Sequence, residues 1–148
     1  MISMAPMLEE VGFRVMLIGG VAFLILLNRS NRLASLKVMW HPSKHLEECS
    51  DIRPAEYLSI MYLTIVVSGL FFGASHIIYG SSWEVGKLST ATIAGIVLGW
   101  IYFKQGFPAA LLMHWSFNFL SGAYIYFACA LTASTKVCGD AVQGSPIV

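Results

Sequence analysis

Runs of apolar residues long enough to cross a bilayer, each carrying a small polar cluster at helical spacing, limit what this chain can fold into. Residues 15–27, 57–79, 89–103 and 108–131 are predominantly apolar. A hydrocarbon core about 30 Å thick is spanned by about 20 residues at the helical rise of about 1.5 Å. Backbone groups left unpaired in lipid are costly, so such segments fold as helices. The chain is 57% hydrophobic and 11% charged, against about 25% charged residues in ordinary soluble domains. The expected fold is all-α: a polytopic, integral membrane protein with about four transmembrane helices, in the cell membrane if the source is prokaryotic.

The first helix is expected from about Met7 to Leu27. It does not open like a signal peptide, because Glu9 and Glu10 stand where a basic segment belongs. Residues 28–56 form a polar loop, with a short interfacial helix expected over Leu33 to Trp40. The second span, 57–79, is interrupted by Gly69 and Gly73, and Gly80, Ser81 and Ser82 follow as turn formers. The third span, 89–103, is short, about 22 Å at helical rise. A tight turn over residues 104–107 then leads to Pro108, placed to open the fourth helix, which runs to about Leu131. Gly95 and Gly99 make a small-x-x-x-small step suited to close helix packing. One domain is expected over 1–132, followed by a tail over 133–148. Cys49, Cys129 and Cys138 are odd in number and lack C-x-x-C spacing, so they are expected to be free thiols. A net charge of +1 provides no basic surface for a nucleic-acid partner.

The polar clusters are Glu9-Glu10-x-x-x-Arg14, Phe72-x-x-x-His76 and His114-x-x-x-Asn118. Ionisable groups inside a bilayer cost about 2.5 kcal/mol upwards, which points to joint use. Glu10 and Arg14 are four apart and can pair on one helix face. That leaves Glu9 as the freer carboxylate and the expected general base. The plainer alternative is that both acids complement a helix start. Phe72 and His76 share a face, the ring seating the imidazole, although such a histidine can equally be a packed core residue. His114 and Asn118 share another face and bring two hydrogen-bond donors together, as an oxyanion hole requires. The same pair can act as inter-helix glue. Glu47-Glu48 is also a paired acid, but it lies in the polar loop and is set aside.

In this order the motifs resemble the CAAX-protease and bacteriocin-processing intramembrane endopeptidases, which include the type II CAAX prenyl endopeptidases. The resemblance rests on residues 5–14 (APMLEEVGFR), on residues 71–76 (FFGASH), and on Gly95, Gly99, Tyr102 and Gly106 leading to His114-x-x-x-Asn118. It covers about residues 5–120. It implies that Glu9 and His76 activate a water and that His114 and Asn118 stabilise the oxyanion. Glu10 and Arg14 would hold the first helix's charges in register, and Phe72 would support His76. No cofactor is favoured. Zinc is the alternative, with Glu9, His76 and His114 as its ligands. The implied partners are membrane lipid and a protein or peptide substrate, prenylated in the CAAX case. The expected reaction is hydrolysis of a peptide bond near the substrate's C-terminus. The competing functions are a non-catalytic scaffold or immunity-type protein and a proton relay or transporter.

Two further features, the start of the chain and its charge distribution, set expectations. The chain begins on the first motif, so it is expected to be the C-terminal catalytic part of a larger helical bundle. Six Lys/Arg lie at the ends facing the 28–56 loop and Lys104, against Lys87 and Lys136 at the other ends, which places the loop side in the cytosol. On straight helices of equal depth, Glu9 and His76 would then lie near the far face. His114 would lie only about 9 Å from the cytosolic side, too far away to share a site. Three arrangements would reunite them: a deeper start for helix four, a break near Gly73, or tilt.

Overall fold

The structure is a computed structural model that describes residues 4–27, 32–44, 53–78 and 85–132. The expected tail, the Gly80–Ser82 turn, Glu47-Glu48, Cys49 and Cys138 lie outside these residues. The described residues form five helices: α1 (Ala5–Leu27), α2 (Arg32–Val38), α3 (Pro54–Ile78), α4 (Val85–Gln105) and α5 (Phe107–Thr132). Pro54 occupies the first position of α3, where its missing N–H costs nothing. The middle of α1, Val11–Gly19, is π-helical. Its i→i+5 bonds widen the turns, a feature that concentrates at functional sites.

By length and composition, Ala5–Leu27, Pro54–Ile78 and Gly86–Gln105 can cross a membrane. The protein is therefore an integral, multi-pass membrane protein. Among the described residues three helices meet that criterion, so the expected count of about four spans is not confirmed. α5 has 26 residues, but His114, Trp115, Ser116 and Asn118 dilute its apolar character. The third span is longer than expected, because α4 begins at Val85 and has 21 residues. Its first turns look polar in sequence. In the fold, however, the Ser89 and Thr90 hydroxyls donate to the Gly86 carbonyl at 3.0 and 2.8 Å, so their polarity is absorbed inside the helix.

Gly69 and Gly73 do not interrupt α3, a single helix of 25 residues. They let α4 approach. A Cβ on Gly69 would stand 2.9 Å from the Ile96 nitrogen, and one on Gly73 would stand 3.0 Å from the Leu88 carbonyl oxygen. From the other side, a Cβ on Gly95 would meet the Gly69 Cα at 3.0 Å, and one on Gly99 would meet Ile18 and Ile65 at 3.2 Å. The expected small-residue step is therefore the seam between α3 and α4, with α1 against its lower end. Ile18, Met61, Ile65, Tyr102 and Phe103 fill the core beneath it.

The polar segment after α2 folds back onto the α4–α5 turn. The Tyr102 hydroxyl donates to the Met39 carbonyl. The Phe107 amide donates to the Trp40 carbonyl at 3.0 Å, and the Ser43 amide donates to the Phe103 carbonyl at 3.2 Å. Trp40 stands edge-on to Phe107, with centroids 5.2 Å apart. Gly106 makes the turn with φ +86°, and an added Cβ would lie 2.8 Å from the Trp40 carbonyl oxygen. The same cap touches α1 at Gly19, whose Cβ position is 3.1 Å from the Met39 Cα.

Of the three arrangements that would reunite the polar clusters, this contact selects a deeper start of helix four. The α4–α5 turn lies level with Gly19, not with Leu27. α1 continues eight residues beyond that level, about 12 Å at helical rise. Helix four thus begins deeper in the bundle, and His114 rises to the level of Glu10. The cysteine expectation also needs correction. Cys129 is disulfide-bonded rather than a free thiol. An odd cysteine count carries no signal for which residues pair.

Candidate active site

The site forms where the first turns of α1 meet α3 and α5. Glu10 and Arg14 are fully buried and His114 nearly so. Arg14 Nε lies 3.4 Å from Glu10 Oε2, so the pair expected from four-residue spacing forms. It is a charge contact without hydrogen-bond geometry, and among the described residues the guanidinium N–H groups have no hydrogen-bond acceptor. The guanidinium carbon instead lies 4.7 Å from the centre of the Phe72 ring, a cation–π contact that gains strength where water is excluded.

His114 is held between both carboxylates. Its Nδ1 lies 2.9 Å from Glu10 Oε1, and its Nε2 lies 3.6 Å from Glu9 Oε2. A carboxylate accepts, so Nδ1–H donates to Glu10. Glu9 is the more exposed of the two acids, at 32% for its side chain, which agrees with its reading as the freer carboxylate. The link from Glu10 to His114 was not legible in the sequence. The two residues are 104 positions apart, and only the deep start of α5 brings them together.

Phe72 is the hub. Its ring centroid lies 4.5 Å from that of His76, 5.8 Å from that of His114 and 5.4 Å from that of Phe13. The expected seating of His76 by Phe72 is present. The Nδ1 of His76 lies 2.9 Å from the Phe72 carbonyl oxygen, within its own helix. A carbonyl only accepts, so Nδ1 carries the proton and Nε2 of the neutral ring is left with a lone pair. On the α1 side, the Ser68 hydroxyl donates to the Phe13 carbonyl at 2.7 Å. That bond satisfies a carbonyl within the widened stretch of α1 and ties α1 to α3.

His76, His114 and Asn118 line one cleft of about 480 Å³ between α3, α4 and α5, together with Phe72 and Lys87. Of the expected site residues, Arg14, Glu10, His114 and Glu9 form a chain of contacts in that order, and His76 and Asn118 face the shared cleft. Glu9 and His76 make no hydrogen bond to each other among the described residues. The carboxylate stands against His114 instead. Lys87 is a cleft residue that sequence reasoning used only for membrane orientation. Its signal was a lone cation at the end of an apolar span.

Among the described residues, no three His, Cys, Asp or Glu side chains converge as metal ligands. Both ring nitrogens of His114 already face carboxylates. As they stand, Glu9, His76 and His114 do not form a three-ligand cluster.

No curated protein and no solved structure matches the chain. One family model does, over residues 1–120, a stretch that contains all three polar clusters and the helices that bring them together. On that match, the chain belongs to the family of type II CAAX prenyl endopeptidase Rce1-like proteins.

Proposed function

We propose that the protein is an intramembrane endopeptidase. It hydrolyses a peptide bond near the C-terminus of a membrane-associated, isoprenylated protein or peptide. The observation that carries this reading is His114 held between Glu9 and Glu10 at the edge of a cleft that His76 and Asn118 also line. A structural polar contact needs one partner. This cluster brings two carboxylates, a guanidinium, two imidazoles and an amide to one level of a membrane bundle, where each unpaired charge is costly.

In the reaction, a water in the cleft attacks the scissile carbonyl carbon. Its proton passes to Glu9 or to the lone pair of His76 Nε2. The π bond of the carbonyl opens onto its oxygen, and this oxyanion accepts hydrogen bonds from the Asn118 amide and from His114. Collapse of the tetrahedral species breaks the C–N bond, and the proton taken from water moves to the departing amine. The products are a new carboxylate and a new amine.

Donation from His114 to the oxyanion requires a proton on Nε2, because Nδ1–H is committed to Glu10. The ring then carries both protons. Its charge and that of Arg14 balance the charges of Glu9 and Glu10. Arg14 and Glu10 are positioning residues, and Phe72 supports the two imidazoles.

The test is incubation of the purified protein, in liposomes, with a farnesylated C-terminal peptide, followed by mass spectrometry of the fragments with and without chelator. A single new C-terminus near the isoprenylated residue, unaffected by chelator, supports the reading. No product from a folded protein would favour a non-catalytic membrane scaffold. Loss of product only with chelator would call for a metal-dependent mechanism.

A further inference from the structure

Lys87 brings a positive charge to the same cleft as His76, His114 and Asn118. It lies in the first turn of α4 and is half-buried. Among the described residues no carboxylate pairs with it, whereas Arg14, the other cation near the site, faces Glu10. An ammonium group on the wall of a largely apolar cleft is suited to an anion brought in by a ligand.

The fold brings that charge near the level of the reacting groups. The Gly73 Cβ position touches both the Leu88 carbonyl oxygen and Thr92 on α4, and the preceding residue on α3 is Phe72, whose ring contacts both imidazoles. Lys87 precedes these two contacts by one and five residues on the same helix, about 2 to 8 Å at helical rise. An extended peptide covers about 3.3–3.6 Å per residue. A peptide lying along α4 from the imidazoles would therefore reach the level of Lys87 within about one to three backbone units.

We infer that Lys87 binds the free α-carboxylate of the substrate, within about three residues beyond the scissile bond, and so sets the enzyme's preference for a chain terminus. This inference rests on the protease reading above. The pairing is a charge-assisted hydrogen bond on the wall of a largely apolar cleft.

The test compares three isoprenylated peptides of one sequence: the free acid, its C-terminal amide, and a form extended by four residues. For the wild type, kcat/KM for the acid is expected to exceed that for the amide and the extended form by about 10- to 100-fold. In Lys87→Met this ratio should collapse towards one, while Lys87→Arg should retain most of it. A merely structural role would lower all three substrates together and leave the ratio intact. The same three peptides are also titrated, without turnover, against Glu9→Gln protein carrying Lys87 or Lys87→Met. Acid-selective binding lost in the double variant supports the inference even if cleavage is never seen. Equal binding of acid and amide to the Lys87 protein, or an undiminished ratio in Lys87→Met, would overturn it and favour a lipid-phosphate contact for Lys87. The protease reading would survive that result, since it depends on whether any of the peptides is cut.

Discussion

Replacing Glu10 by leucine removes the carboxylate that contacts both Arg14 and His114. Arg14 and Glu10 each have no solvent exposure, and their charged atoms are 3.4 Å apart. At an effective dielectric of about 20, a contact of that length is worth roughly 5 kcal/mol. Leucine fills similar volume, so the loss is one of charge and not of packing. Breaking a buried ion pair from one side costs about 3–5 kcal/mol, because the remaining charge stays desolvated and unmatched. Glu10→Leu is therefore expected to destabilise the fold by about that amount. The double variant Glu10→Leu/Arg14→Met removes both charges and should recover most of the loss, returning to within about 1–2 kcal/mol of the wild type. The assay is equilibrium unfolding in mixed micelles, followed by helical circular dichroism. The reasoning fails if Glu10→Leu unfolds within about 1 kcal/mol of the wild type, or if the double variant is no more stable than the single one.

Further outcomes follow from the same contacts. Gly95→Val drives a side chain into the Gly69 Cα and the Phe72 Cβ, at 3.0 and 3.1 Å from the Cβ position. It should cost about 1–3 kcal/mol and lower activity through Phe72, read by thermal melting and turnover. Gly122→Ala has nothing within 4 Å of the new methyl group and should be neutral, or stabilising by up to about 1 kcal/mol, in the same melt. Gly106→Ala forces a side chain onto φ +86° and should cost about 1–2 kcal/mol. Asn118→Ala should lower kcat by about 10²–10³-fold with little change in KM, if its amide serves the transition state rather than the bound substrate.

The helical, multi-pass character of the chain was legible because apolar length and polar spacing are local properties. So were the Glu10–Arg14 pair and the seating of His76 on Phe72, each a four-residue step on one helix. The relative depth of the helices was not. It depends on residues 39–43 capping the α4–α5 turn and on Gly19 allowing that cap to approach α1. These contacts join segments far apart in sequence and leave no periodicity to read. The bond from His114 to Glu10 was hidden for the same reason. The π-helical stretch of α1 was missed because an apolar run gives no sign of its hydrogen-bond register. α4 starts before the expected residue 89 because Gly86 and Lys87 look like loop residues in sequence, whereas the Gly86 carbonyl accepts from the Ser89 and Thr90 hydroxyls within the helix.

The most direct test of the proposed chemistry is the single-turnover rate of Glu9→Gln beside the wild type, on the farnesylated peptide in liposomes, with melting temperatures measured on the same samples. Glutamine keeps the size and polarity of Glu9, which is partly exposed, so the two proteins should melt alike. If Glu9 takes a proton from the attacking water, the rate falls by about 10²–10⁴-fold. A Glu9→Gln protein that cleaves at the wild-type rate would contradict that role and place the base elsewhere in the cleft.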